Sequence, residues 1–317
     1  MKNTIAVIRP MPSDIIALLR QQGTVLYNPD AGVLEGEALA QHMAQADAVL
    51  VSALDRIDAA LIARCPKLRV IANVGVGYNN IDVDACTARG IMVTNTPGSV
   101  DDATADLAFG LMLAAARRLV EVDRFVRERK WGASAPPMGL DIHHRVLGIV
   151  GFGRIGKTIA RRARGFDMDV RYFKRRPLPA REEGALGVRY QPLADLLRES
   201  DFVLLQMPYG PESHHMIGAV ELAMMKKTAV LINTARGGVV DDAALVDALK
   251  NRTIAAAGLD VFEDEPHPHP GFLSLDNVVL APHIGSATMA TRHAMAMQAT
   301  RNLIAALHGT PLDLVNP

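Results

Sequence analysis

The sequence predicts an α/β protein with two doubly wound parallel sheets. Short β-branched runs alternate with amphipathic stretches along the whole chain, which is the signature of strands buried on both faces by helices. At 317 residues the chain also exceeds the size at which a single core is usual. A glycine-rich turn following a β-branched run near residue 150 marks the start of the second sheet's first strand–helix unit.

In the first third, Thr4–Ile8, Ala48–Val51, Arg69–Ala72 and Met92–Asn95 are expected as strands, with helices near Asp14–Gln21, Glu35–Ala44 and Asp82–Arg89. After the turn Thr96-Pro97-Gly98, apolar residues recur at helical spacing from about Asp102 to Arg129, and a Gly/Ala/Pro-rich loop, Gly132–Gly139, follows. Six further strands are expected: Val146–Val150, Asp169–Phe173, Phe202–Gln206, Ala229–Asn233, Ile254–Leu259 and Asn277–Leu280. Helices near Ile155–Arg164, Leu193–Ser200 and Asp241–Lys250 lie among them. The last helix, Thr288–Ala306, comes after the second sheet, whereas the first sheet still lacks cover on one face. The chain is therefore expected to cross back, with hinges near Gly98 and Gly285. One domain would comprise residues 1–98 and 287–317, and residues 99–286 would be inserted into it.

Composition narrows the function. Hydrophobic residues make up 49% of the chain and aromatics 4%, as in an aliphatic globular core. Lys plus Arg (34) balances Asp plus Glu (34), so no global field attracts nucleic acid or an anionic membrane. Cys65 and Cys86 form neither a C-x-x-C motif nor a disulfide framework, which suits a reducing cytoplasm. The apolar run after Lys2 ends at Arg9-Pro10, too short for a signal peptide, and Leu107–Ala116 falls well short of the ~20 residues of a membrane span.

The run Leu147-Gly148-Ile149-Val150-Gly151-Phe152-Gly153-Arg154-Ile155-Gly156 places a G-x-G-x-x-G fingerprint between a strand and a helix. Gly151 would allow the tight turn, Gly153 the backbone's approach to a pyrophosphate, and Gly156 the close packing of helix on strand. Arg154 and Ile155 are counted with them as cofactor-binding residues. Because Lys157-Thr158 follow, residues 151–158 also satisfy the phosphate loop G-x-x-x-x-G-K-[ST], and local sequence does not separate the two motifs. About twenty residues on, the next strand ends in Phe173-Lys174-Arg175-Arg176, where an NAD site commonly offers an acid for the ribose hydroxyls. Three cations with no nearby acid favour the 2′-phosphate of NADP, so NADPH is expected over NADH.

Three segments sit at the carboxyl ends of expected strands: Asn233-Thr234-Ala235-Arg236-Gly237-Gly238, then Gly258-Leu259-Asp260-Val261-Phe262-Glu263-Asp264-Glu265-Pro266, then Ala281-Pro282-His283-Ile284-Gly285-Ser286-Ala287-Thr288. Doubly wound folds place ligands at those carboxyl ends. Together with the glycine loop, these motifs resemble the D-isomer-specific 2-hydroxyacid dehydrogenase family over essentially the whole chain. Asp141-Ile142-His143-His144 and the Phe-Lys-Arg-Arg strand end look most like its glyoxylate/hydroxypyruvate/2-ketogluconate reductases. The resemblance implies two Rossmann-like domains, a small 2-ketoacid as substrate, a homodimer, and Arg236, Glu265 and His283 as the catalytic set.

The chemistry agrees with these residue types. Hydride delivered to a keto carbon requires a proton for the developing alkoxide, and His283 is a general acid usable near neutral pH. Glu265 beside it would favour the imidazolium. Arg236 would grip the substrate carboxylate with a permanently charged fork. By the resemblance, backbone N–H groups of Asn73-Val74-Gly75-Val76-Gly77, Val74 and Gly75 in particular, complete the carboxylate site, and Asp260 orients the nicotinamide end of the cofactor.

Some features depart from the family pattern. Gln206 stands where many members carry His, the ribose-binding acid is absent, and the loop Trp131–Gly139 lacks the second aromatic of some glyoxylate and hydroxypyruvate reductases. Glu265 argues against the formate dehydrogenases, which pair their histidine with Gln. His267 and His269, spaced by prolines, are read as a stiff loop, and no metal is assigned. Two other functions stay open: phosphoryl transfer through 151–158 with Asp260 as the Mg²⁺ partner, and an NAD(P)-sensing binding protein.

Overall fold

The computed structural model describes residues 2–29 and 34–316. The chain divides into two compact units, Met1–Val100 with Ala287–Pro317, and Asp101–Ser286.

In the first unit the strands are Asn3–Val7 (β1), Gly23–Tyr27 (β2), Ala48–Ser52 (β3), Val70–Val74 (β4) and Met92–Thr94 (β5). Helices Ser13–Gln22 (α1), Gly36–Met43 (α2), Ala59–Ala63 (α3) and Val83–Ala88 (α4) connect them, and all strands pair in parallel in the order β2-β1-β3-β4-β5. Alternate strand residues enter different cores, Ile5, Val7, Leu50 and Ala72 on one face and Ala6, Val49, Val51 and Ile71 on the other. This is why these strands read as unbroken apolar runs rather than as an alternation.

The second unit carries seven strands: Val146–Val150 (β6), Asp169–Phe173 (β7), Val188–Tyr190 (β8), Phe202–Leu205 (β9), Val230–Asn233 (β10), Ala256–Leu259 (β11) and Val278–Leu280 (β12). They pair in parallel in the order β12-β11-β10-β9-β6-β7-β8, so the strand order reverses between β6 and β9. The helices are Asp101–Ala116 (α5), Leu119–Arg127 (α6), Arg154–Ala163 (α7), Ala180–Leu186 (α8), Leu193–Glu199 (α9), Ala219–Met224 (α10) and Asp242–Lys250 (α11). The chain then returns to the first unit as Met289–Leu307 (α12). Its Ala296, Ala299 and Leu303 cover the face of β3 and β4 that the preceding helices leave bare.

The structure corrects three expectations. The two strands not foreseen, β2 and β8, are sheet edges with mostly half-exposed residues, so they lack the apolar run that marks a central strand. The second sheet accordingly has seven strands instead of six. The helix expected over 102–129 is broken at Arg118, whose φ of 54° is left-handed and cannot continue a right-handed helix. The first piece, α5, buries Ala105, Ala108, Met112 and Ala115 against β10 and β11, whereas α6 buries none of its residues.

Candidate active site

Register builds the site. Along the second sheet Phe173 pairs with Val150, Val150 with Leu205, Leu205 with Asn233, Asn233 with Leu259, and Leu259 with Leu280. Six strands thus end in one line. The residues one to three positions beyond it are the glycine turn, the basic trio, Gln206, Arg236, Asp260 and His283. Residues as far apart in sequence as Gly151 and His283 are brought to one sheet edge, which includes the point where strand order reverses.

At that point Gly151 has φ +91°, and a Cβ there would lie 2.3 Å from the Gln206 carbonyl oxygen, so only glycine fits. A Cβ on Gly153, in contrast, would meet nothing within 4 Å, and one on Gly156 would stand 2.9 Å from the Gly151 oxygen. The turn opens on a cavity of about 640 Å³ lined by Gly151–Gly153, the run from Phe173 to Arg176, and Gln206, Met207, Pro208, Glu212, Ser213 and Met216. A bare backbone facing open space at a helix start, with three cations beside it, fits a dinucleotide phosphate. Arg154 turns its side chain to Asp101 (2.9 Å) and Ile155 leans on the core, and neither is among the residues that line the cavity. Lys157 is paired with Glu182 on α8 and Thr158 is buried.

Arg236, Glu265 and His283 come together on the same unit. The Asn233 side chain shapes the first turn, accepting from the Ala235 amide (3.0 Å) and donating to the Arg236 carbonyl (3.0 Å). Gly237 lets this turn touch the Glu265 loop, since a Cβ there would fall 1.8 Å from the Phe262 oxygen. His283 Nδ1 lies 2.7 Å from Glu265 Oε2, and Glu265 Oε1 accepts from the Phe262 amide at 3.1 Å. Burial raises the Glu265 carboxyl, but His283, the Phe262 amide and Arg236 outweigh it and hold the group below the usual range. An acceptor-only carboxylate at Nδ1 places the hydrogen there and leaves Nε2 for chemistry. Burial draws the Arg236 guanidinium down from its ordinary value, partly countered by Glu265. It stays charged.

Asp260 positions the histidine. Its carboxylate oxygens accept from the amides of Ile284 (2.7 Å) and Gly285 (2.8 Å), and its carbonyl accepts from the His283 amide (2.8 Å). These bonds hold His283 at φ 53°, a left-handed conformation unusual for a side-chain-bearing residue. Burial raises the Asp260 carboxyl despite the two amides.

In the first unit, Val74 ends β4 and Gly75 begins the loop after it. Asn73 shapes this loop by donating to the carbonyls of Gly75 (3.3 Å) and Gly77 (2.8 Å). Sequence reasoning missed Asn233, the buried Asp242 whose carboxylate accepts from the Glu263 amide (3.1 Å), and Glu212, which lines the cavity. The first two carry a weak signal as polar residues beside a strand end and a helix start. Glu212 carries none, because its neighbourhood is set by register. Gln206, the departure from the family pattern, accepts from the Thr234 hydroxyl at 2.7 Å. His269 Nδ1 accepts from the Gly271 amide (3.1 Å), and among the described residues no cluster of three or more His, Cys, Asp or Glu is placed to hold a metal. Among them, too, no helix is long and apolar enough to cross a membrane.

Residues 109–285 match the family model described as D-isomer specific 2-hydroxyacid dehydrogenase, NAD binding domain. The chain is 47% identical over 323 residues to a glyoxylate reductase of Thermococcus onnurineus, covering 100% of this chain and 96% of the relative. Among solved structures, a glyoxylate reductase from Paecilomyes thermophila superposes with a TM-score of 0.91 at 34% identity, covering 99% of this chain and 98% of that one. An NADPH-dependent glyoxylate/hydroxypyruvate reductase from Sinorhizobium meliloti, in complex with NADP and malonate, gives a TM-score of 0.88 at 34% identity. There the coverage is 99% of this chain and 97% of that one.

Proposed function

This chain belongs to the D-isomer specific 2-hydroxyacid dehydrogenase family, and from that premise we propose that it reduces a small 2-ketoacid to the D-2-hydroxyacid with NADPH, His283 acting as general acid. The substrate would be of the glyoxylate, hydroxypyruvate or 2-ketogluconate class. The observation that carries the reading is the 2.7 Å contact between His283 Nδ1 and Glu265, which leaves Nε2 of the part-exposed ring for chemistry at the sheet edge that also carries Arg236.

The glycine turn and the basic trio would hold the dinucleotide, whose nicotinamide would supply the hydride for the keto carbon. This chain's residues do the rest. Nε2–H of the imidazolium gives its proton to the developing alkoxide, and Glu265, anionic at neutral pH, offsets the imidazolium charge before that transfer. In the reverse direction neutral Nε2 takes the hydroxyl proton. Arg236 holds the substrate carboxylate and polarises the keto oxygen, and the Val74 and Gly75 amides are assigned to the carboxylate as well. Asp260 sets the histidine and is assigned to the nicotinamide end of the cofactor. The reported cofactor and malonate of the Sinorhizobium relative support a dinucleotide and a small carboxylate here. Lys174, Arg175 and Arg176 at the cavity wall support NADPH over NADH.

Phosphoryl transfer is disfavoured because Lys157, which a phosphate loop aims at the phosphates, is engaged by Glu182. A homodimer is part of the proposal. It is supported by the exposed Leu119, Val120 and Val126 of α6, and sedimentation equilibrium checks it.

The test is a steady-state screen of glyoxylate, hydroxypyruvate, 2-ketogluconate and pyruvate with NADPH and NADH. Turnover of at least one ketoacid is expected, with NADPH preferred, and His283→Ala should lower kcat at least ~10²-fold. A protein that binds the cofactor and turns over none of the four is a sensor, and the proposal fails.

A further inference from the structure

The absence of an acid after β7 is the argument for NADPH, yet the fold brings one to the same place from elsewhere in the chain. Glu212 lies on the short turn Pro211–Ser213 that follows β9, the strand beside β6. It is the one carboxylate among the residues lining the 640 Å³ cavity. Its Oε1 stands 3.2 Å from Nη1 of Arg175, and both side chains are open to water, at 62% and 84% exposure. A pair this exposed contributes little to stability, so it has no evident structural task. The backbone beneath it is held firmly. Ser213 is buried, its Oγ accepts from the Gly210 amide (2.8 Å), its own amide donates to the Gly210 carbonyl (2.9 Å), and the His215 amide donates to the Gly238 carbonyl (2.8 Å). An exposed carboxylate is thus mounted on a fixed turn, paired with the arginine assigned to the phosphate.

We propose that Glu212 is a specificity-determining residue that keeps NADH usable, by accepting the ribose hydroxyls of NADH and opposing the 2′-phosphate of NADPH. The inference rests on the reading that the basic turn meets that phosphate. A carboxylate accepts hydrogen bonds from a diol, which donates two. A phosphate of nearly two negative charges donates none at neutral pH, and it must draw Arg175 away from Glu212 while lying beside a like charge. The preference for NADPH is therefore smaller than three cations alone would give.

The experiment measures binding without turnover. Dissociation constants for adenosine 2′,5′-bisphosphate and adenosine 5′-phosphate are obtained by calorimetry, and those for NADPH and NADH by fluorescence titration. Native protein, Glu212→Gln, Arg175→Ala and Arg176→Ala are compared, with urea midpoints to confirm equal folding. Glu212→Gln should raise the preference for the 2′-phosphorylated ligand about tenfold, by tightening the bisphosphate and loosening the monophosphate. A change in that ratio below threefold overturns the proposal. If that happens while Arg175→Ala still weakens only the bisphosphate, the reading of the basic turn stands and Glu212 alone is excluded. If neither arginine variant discriminates but Glu212→Gln does, the carboxylate is the selector and the basic turn is not.

Discussion

Replacing Asp260 by alanine should cost the enzyme its histidine without touching the histidine itself. Asp260 is 2% exposed, and its carboxylate is the acceptor for the Ile284 and Gly285 amides. Stripping an acceptor from a buried donor costs roughly 1–3 kcal/mol. The Gly285 amide is buried and should bear that cost in full, whereas Ile284, 38% exposed, can turn its amide toward water. A loss of about 2–4 kcal/mol follows. His283 also sits at φ 53°, a conformation that costs roughly 1–2 kcal/mol for a residue with a Cβ. With its two anchoring bonds gone, the loop gains by relaxing to an ordinary φ, which carries the imidazole away from Glu265. Loss of a positioned general acid is worth ~10²-fold or more in kcat. Asp260→Asn keeps one acceptor oxygen and turns a donor toward the other amide, so it should fall between the native protein and the alanine variant in both measurements. The assay pairs urea unfolding with ketoacid reduction at saturating cofactor. If Asp260→Ala keeps kcat within threefold of native at an unchanged urea midpoint, Asp260 does not hold the histidine and the reasoning fails.

Three other outcomes follow from the same structure. Gly237→Ala, which alters no charge, would drive a Cβ to 1.8 Å from the Phe262 oxygen and part the Arg236 turn from the Glu265 loop. A shift of that size should lower kcat about 10²-fold, and a crystal structure of the variant with the two loops unmoved would contradict this. Arg236→Lys loses the two-pronged grip, so KM for the ketoacid should rise about tenfold or more while cofactor affinity in binding titrations stays constant. Asp242, 5% exposed, has its carboxyl pushed up by burial from 3.8 to about 6. A folded-state pKa above the unfolded one gives stability that is complete below pH ~4 and lost as pH rises through ~6, up to about 3 kcal/mol in all. Urea midpoints of the native protein should accordingly fall between pH 4 and 6 relative to Asp242→Asn, and parallel curves would refute the assignment.

The central strands and the glycine turn were legible in the sequence because their cause is local. Residues 147–150 and 230–232 are buried on both faces, and a strand interior so placed is apolar throughout. Gly151 is dictated by one backbone torsion and one close approach. The α/β class follows from such features, whereas the family, and with it Arg236, Glu265 and His283 as expected site residues, came from the resemblance that their motifs carry. The edge strands β2 and β8 were not legible, since a half-exposed edge imposes no apolar pattern. The break at Arg118 was hidden as well, because apolar spacing continues on both sides of it. Only tertiary structure decided that Asp260 spends its carboxylate on the histidine loop, that Gly237 lets two loops touch, and that Glu212 stands beside Arg175. Each depends on parallel strands ending flush with one another, and that register is set by packing across the whole sheet, which no window of sequence contains.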